Sequence, residues 1–181
     1  MAAQRRSGDG GYTQLPGPAG GRLRKDAPIL TALGTLDELN AAVGQCLTEA
    51  YRINHVFIRE TLGPIQAELL AAGADLAGGA AGRLAPASAE RIQRETGSIC
   101  ADLPELKHFV LPGGSELAGR LHQARAIARR AERDVVAALK PKSTADAPPA
   151  VAYLNRLSDL LFALGRVANR DAGEGDTTCT P

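Results

Sequence analysis

The run FVLPGGSELAGRLHQARAIARRAERDVVAAL, residues 109–139, decides how the chain folds. A turn, Pro112-Gly113-Gly114, divides it. Beyond that turn, Leu117, Leu121, Ala124, Ala128, Ala131, Val135 and Leu139 recur in steps of three and four, the period of an amphipathic helix. The spacing predicts a helix from near Ser115 to a point before Pro141. On a wheel of about 100° per residue, Arg125, Arg129, Glu132 and Arg133 share one arc with His122, beside the apolar stripe. Arg120 and Arg130 point away from both groups. Like charges at i and i+4 cost only about a few tenths of a kcal/mol, so this face is either a solvated surface or a polyanion site. Guanidinium forks match phosphate oxygens in pairs, which is the chemistry of the second reading. An ion pair from one arginine to another helix or another chain is a third option.

Four more helical patterns surround this one. Thr35-Leu-Asp-Glu38 has the form of a capping box and predicts a helix running to about Arg52. The next runs from Val56 to Leu76, with Gly63-Pro64 placed to kink it. A third covers Pro86 to Leu103, with Ser88 as candidate N-cap. After the KPKSTADAPP loop, the last covers Ala150 to Arg170. Five amphipathic helices without strand alternation predict an all-α, five-helix up-down bundle. Residues 1–33, rich in Gly, Pro and Arg, read as a long N-terminal glycine-containing loop of the same domain. Residues 34–171 form the bundle, and 172–181 read as a disordered tail.

Composition narrows the function. The 181 residues carry 21 basic and 20 acidic side chains. A net charge of +1 argues against electrostatic nucleic-acid binding. Aromatics make up 3% and Trp is absent, so Ala, Leu, Val and Ile must build the core. Cys46, Cys100 and Cys179 are odd in number and widely spaced, which fits reduced cytoplasmic thiols and neither a disulfide framework nor a zinc site. No apolar run approaches the roughly 20 residues of a membrane span, and the opening residues lack the apolar segment of a secretory signal.

Several smaller patterns carry weaker signals. RRSGDGGYTQL, residues 5–15, sets glycines beside Ser7 and Thr13, a composition able to form an anion-binding nest or simply a mobile terminus. Arg22 and Lys25 add cationic side chains to that segment. No Gly-Lys-Ser/Thr follows, so it is not a Walker A loop. Glu105-x-x-His108 occurs once, whereas a di-iron bundle needs the motif twice. No metal-ligand set and no activated Ser or Cys nucleophile stands out. Asp37-Glu38 fits a helix N-terminus, and Asn155-Arg156 fits either helix surface or a specific polar contact.

Together RSGDGGYTQL, RLRK, GTLDELNAAVG, IQAELLAAGADLA, FVLPGGSELAGRLHQARAIARRAER and YLNRLSDLLFAL resemble the PduO-type ATP:cob(I)alamin adenosyltransferases, in that family's order. The resemblance implies a five-helix bundle assembling as a homotrimer, with ATP between neighbouring subunits. It carries phosphate or nucleotide contact onto Arg6, Ser7, Gly8, Thr13 and Lys25, with Asp9 and Gly11 shaping the turn. It carries the second ATP segment onto Arg129, Arg130, Glu132 and Arg133, and a nucleotide contact onto Asn155. Asp37 and Arg125 match a salt bridge between subunits. Phe109 matches the aromatic on the lower face of the corrin. Catalytic roles thereby fall on Arg129, Phe109, Asp37 and Arg125.

The implied chemistry is alkyl transfer: cob(I)alamin attacks C5′ of ATP and triphosphate leaves, aided by Mg²⁺. No protein base is required. The implied partners are a reductase and an adenosylcobalamin-dependent enzyme, with no nucleic acid and no membrane. Departures from the family pattern gather in the N-terminal loop. Arg5 replaces a small hydroxyl residue, Gly10 stands where Lys is common, Tyr12 is bulkier, and the PGPAGG connection is longer. They are the main support for the alternative reading, a non-catalytic ATP- or cobalamin-binding bundle acting as sensor or carrier, but the Arg129 helix keeps the family pattern and the transferase reading stands. A nucleotide hydrolase is disfavoured, since no carboxylate cluster for two metals is visible.

Overall fold

A computed structural model describes residues 8–15, 21–78 and 82–179. Its helices are α1 (Pro28–Arg52), α2 (Val56–Leu62), α3 (Ile65–Leu76), α4 (Pro86–Ala101), α5 (Glu116–Leu139) and α6 (Pro149–Asp171). Four short strands accompany them: β1 (Tyr12–Gln14), β2 (Arg22–Arg24), β3 (Phe109–Val110) and β4 (Thr178–Cys179). The expected five-helix bundle is present, its second helix broken at Gly63-Pro64 into α2 and α3. Proline has no N–H to give and its ring crowds the preceding turn, so the break falls where the sequence places it. No helix is long and apolar enough to cross a membrane among the described residues.

Helix α5 lies at the centre, packed on α1 and α6, while α4 covers α6 and α3 covers α1. Thr35 Oγ1 donates to Asp134 Oδ2 at 2.6 Å, and Glu38 pairs with Arg130. The descending register shows that α1 and α5 run antiparallel. The contacts of His122 with Gly165 and of Arg125 with Phe162 descend in the same way, so α5 and α6 also run antiparallel. Ala124, Ala128 and Ala131 are fully buried, letting the neighbouring helices approach closely. A larger residue at 128 would push α5 off a neighbour, at about 1–3 kcal/mol.

Four expectations are corrected. The Thr35-x-x-Glu38 box does not begin α1. That helix starts at Pro28, with proline in the first turn, where its missing N–H is not needed. Thr35 is inside the helix and donates to the Thr31 carbonyl as well as to Asp134. Likewise Ala85 caps α4, and Ser88 lies within it, nearly buried. The segment before residue 33 is not all loop, because β1 and β2 pair as an antiparallel hairpin. The tail is not disordered through residue 179: β4 pairs with β3, setting Cys179 opposite Phe109.

Several buried polar groups are paired across elements. Tyr153, fully buried on α6, donates its hydroxyl to Glu68 Oε2 of α3 at 2.9 Å, and Arg91 of α4 binds the same oxygen at 2.8 Å. Burial and the adjacent Glu68 carboxylate push the phenol's pKa up, so it remains a donor. This triad joins three helices at one point. Cys46 is buried and its thiol is pushed up to about 12 by burial.

Candidate active site

The arginine face of α5 resolves into unlike members. Arg129 and Arg133 are exposed, and Arg133 Nη1 donates to the Arg129 carbonyl at 3.0 Å. Among the described residues the Arg129 guanidinium has no hydrogen-bond or ion-pair partner. Arg130 turns to α1 and pairs with Glu38, so it also fastens two helices together. Arg120 pairs with Glu116 one turn back. Arg125 is half-buried, its guanidinium 5.2 Å from the Phe162 ring centre. Glu132 is half-buried on the same helix. His122 departs from the exposed arc of the wheel and is buried, 5% exposed, against α6. Its ring lies 3.1 Å from where a Cβ on Gly165 would stand, so glycine makes room for it. Burial, then Arg125, lowers the imidazole pKa, and Asp176 opposes the shift.

The N-terminal cations are arranged by the hairpin. Gly8 to Gly11 form a tight turn, with the Gly11 N–H donating to the Gly8 carbonyl at 3.2 Å and Gly11 at φ +77°. The Lys25 N–H donates to the Gly11 carbonyl at 2.8 Å, continuing the ladder. Its ammonium thereby reaches over Gly8, with Nζ 3.2 Å from a Cβ built there. Thr13 is central in β1, opposite Leu23. Glycine at 8 thus places backbone and a lysine ammonium side by side, the chemistry of a phosphate cradle. Arg6 and Ser7 lie outside the described residues. The hairpin does not pack substantially on α5.

Phe109 is 81% exposed, the most exposed of the large apolar side chains among the described residues. With Leu106, Lys107 and His108 it lines an open depression of about 380 Å³. Exposing a phenylalanine ring forgoes roughly 1.5–3 kcal/mol of burial, and with Leu106 and Leu111 also exposed nearby it forms an apolar patch that is a candidate binding surface. Glu105 and His108 lie on this non-helical segment, away from the helical setting a di-iron motif needs.

Asp37 is exposed on α1 and has no ionic partner among the described residues. From the Glu38–Arg130 register, Arg125 lies across from residue 43, roughly 9 Å further along α1 at 1.5 Å per residue. The two do not meet within the chain. Asn155 is exposed near the start of α6, between cavities of about 490 Å³ and 420 Å³. Its neighbour Arg156 is committed to Gln93 and the Ala152 carbonyl.

Three polar residues escaped the sequence reading: Arg166, Asn169 and Asp176. Arg166 Nε donates to Asp176 Oδ2 and Nη2 to the Pro104 carbonyl, both at 2.6 Å. Asn169 Nδ2 donates to the Gly113 carbonyl at 3.1 Å, and its Oδ1 accepts from the Ser115 N–H at 2.9 Å. A signal was available. Residues 160–169 are apolar almost all round, and a charge inside such a stretch must be paired.

An all-helical bundle with an arginine-lined helix, a glycine-lysine hairpin and a projecting aromatic defines a class suited to one polyanionic and one large flat apolar ligand. The chain belongs to the cobalamin adenosyltransferase family, whose model matches residues 3–168. It is 40% identical to the corrinoid adenosyltransferase of Bacillus subtilis, over 97% of this chain and 91% of that protein. Among solved structures it resembles a variant PduO-type ATP:corrinoid adenosyltransferase from Lactobacillus reuteri complexed with ATP. That match has TM-score 0.83 and 30% identity, over 98% of this chain and 100% of the other. Another variant from the same organism, complexed with cobalamin and ATP, matches with TM-score 0.80 and 30% identity over 96% and 94% of the two chains.

Proposed function

We propose that this protein transfers the 5′-deoxyadenosyl group of ATP to cob(I)alamin, giving adenosylcobalamin and triphosphate. The observation that carries the reading is Phe109, held out on a pinned segment in a chain of this family. The cobalt–C5′ bond forms as the C5′–O bond breaks, and the electron pair leaves with the triphosphate. Charge therefore grows on the leaving group, and cations fixed in advance are the main aid the protein supplies. Lys25 and the Gly8 backbone, together with Arg6, Ser7 and Thr13, are assigned to the phosphates. Arg129, Arg130, Glu132 and Arg133 are assigned to the second wall, and Asn155 to the nucleoside.

ATP lies between subunits of a homotrimer in this proposal. Asp37 and Arg125 support it, since neither has an ionic partner among the described residues and the helix register keeps them apart. The hairpin supports it too, because it does not pack on the α5 that carries Arg129. A carboxylate from one subunit and a guanidinium from the next would complete the boundary. Mg²⁺ takes phosphate oxygens and water more readily than an all-protein cage, so it is assigned to the triphosphate. No group of three or more ligating side chains exists among the described residues. The odd number and wide spacing of the three cysteines support action in the cytoplasm. A reductase supplies Co(I), and an adenosylcobalamin-dependent enzyme receives the product.

Phe109 is assigned to the lower face of the corrin, where an apolar ring cannot ligate cobalt and keeps water out. Removing the lower ligand makes Co(II) easier to reduce. The test is anaerobic mixing of the protein with chemically reduced cob(I)alamin and Mg-ATP, followed by visible spectroscopy. Formation of a light-sensitive alkylcobalamin with stoichiometric triphosphate is expected. ATP binding without conversion would overturn the transferase reading in favour of a binding bundle, and ADP or pyrophosphate as product would point to a hydrolase.

A further inference from the structure

We infer that Arg166, Asn169 and Asp176 form a clamp that positions Phe109 for the reducing step, an inference resting on the function proposed above. Phe109 stands between two feet, Pro104 and Ser115, and both are tied to one helix. Arg166 and Asn169 are one turn apart on α6 and nearly fully buried, 6% and 1% exposed. Arg166 holds the carbonyl of Pro104 at the first foot. Asn169 holds the Gly113 carbonyl and the Ser115 N–H at the second. Gly114 allows that approach: its φ is +92°, and a Cβ there would stand 2.1 Å from Asn169 Oδ1.

The middle of the segment is tied as well. The Leu111 N–H donates to the Thr177 carbonyl at 2.8 Å, and β3 pairs with β4. The root of β4 is Asp176, whose carboxylate is the other partner of Arg166. One buried guanidinium therefore ties both the segment carrying Phe109 and the strand laid against it. An arginine that served only the core would take its partners from the helices around it. Here its two ligands come from the two chain segments flanking one exposed ring, and neither belongs to the helices of the core. A buried charge binds such partners tightly, because unpaired it is expensive. The backbone that carries the exposed ring is thereby fixed, as it must be if the ring is to meet one face of a ligand.

The chain has no tryptophan, so Phe109→Trp in the full-length protein creates a single fluorophore at the site. Its anisotropy should show restricted motion, and adding Asp176→Asn or Arg166→Lys should introduce fast nanosecond motion. On the Phe109 background, the same substitutions should lower the rate fed with cob(II)alamin and a one-electron reductant by about fivefold to tenfold. The rate with prereduced cob(I)alamin should stay within about twofold, since misplacing Phe109 alone touches the reduction. The spectrum of bound cob(II)alamin should lose its four-coordinate component in proportion. Unchanged anisotropy would overturn the clamp. Anisotropy lost while both rates fall equally would overturn the link to reduction and leave Arg166 a residue of the fold. A parent protein inactive even with cob(I)alamin would sink the proposed transfer reaction, and the fluorescence would still judge the clamp.

Discussion

The two segments assigned to ligands are held in opposite ways. The Phe109 segment is tied at both feet and along its middle, and the groups at its feet are buried side chains of α6. The N-terminal hairpin is tied by its own ladder, and its Arg24–Asp26 ion pair is exposed on both sides. Exposed pairs of this kind are screened by water and contribute little to stability. The corrin side of the proposed site is thus finished within one chain. The phosphate side is a preformed local shape that still needs a surface to press against. Under the proposed function, the difference is a division of labour: one chain builds the rigid apolar half, and a neighbouring subunit completes the ionic half.

The sharpest attack on this contrast is Phe109→Ala. Activity fed with cob(II)alamin should fall about 100-fold, near 2.7 kcal/mol of barrier, and activity with prereduced cob(I)alamin should fall far less. Equal losses in the two assays would remove the apolar half from the mechanism. Arg129→Lys probes the ionic half. A lysine keeps the charge but loses the fork, so kcat/KM for ATP should drop about 10-fold with the cobalamin response intact. Steady-state titration of each substrate separates the two, and a loss confined to cobalamin would contradict the assignment.

The scaffold beneath both halves can be loosened without touching either. Tyr153→Phe removes the donor to Glu68 in the α3–α4–α6 triad and should cost about 1–3 kcal/mol of stability in denaturant titration, with kcat unchanged. The smallest effect concerns His122. Its imidazole is lowered by burial and by Arg125, with Asp176 opposing. A depressed histidine leaves the unfolded chain the better proton binder as pH falls below about 6.5. Stability should therefore decline from that pH down to the folded value and then level off. His122→Gln should flatten the decline in that window. A slope unchanged in this variant would mean that other groups set it.

Much of the bundle was legible because helix period and proline are local signals. The α5 stripe, the break at Gly63-Pro64 and the start of α5 near Ser115, whose hydroxyl accepts from the Ala118 N–H at 3.3 Å, all follow from neighbours in sequence. Starts were less legible. Thr35 and Glu38 satisfy the pattern of a cap, but their side chains serve α5, through Asp134 and Arg130, and Pro28 opens the helix. The wheel separated the arginines by angle, yet angle alone did not reveal that His122 would be buried and Arg130 bonded to α1. Each depends on what the neighbouring helix presents at that height.

The sequence by itself determined the helical class, the apolar stripe of α5 and the family to which the motifs point. Those rest on periodicity and on residue types in order, which no partner element can change. Tertiary structure alone decided that Phe109 projects from a clamped segment and that the tail pairs with it. It also decided that Arg166 joins the two, because a hydrogen bond between residues 62 positions apart exists only once helix packing has brought them together.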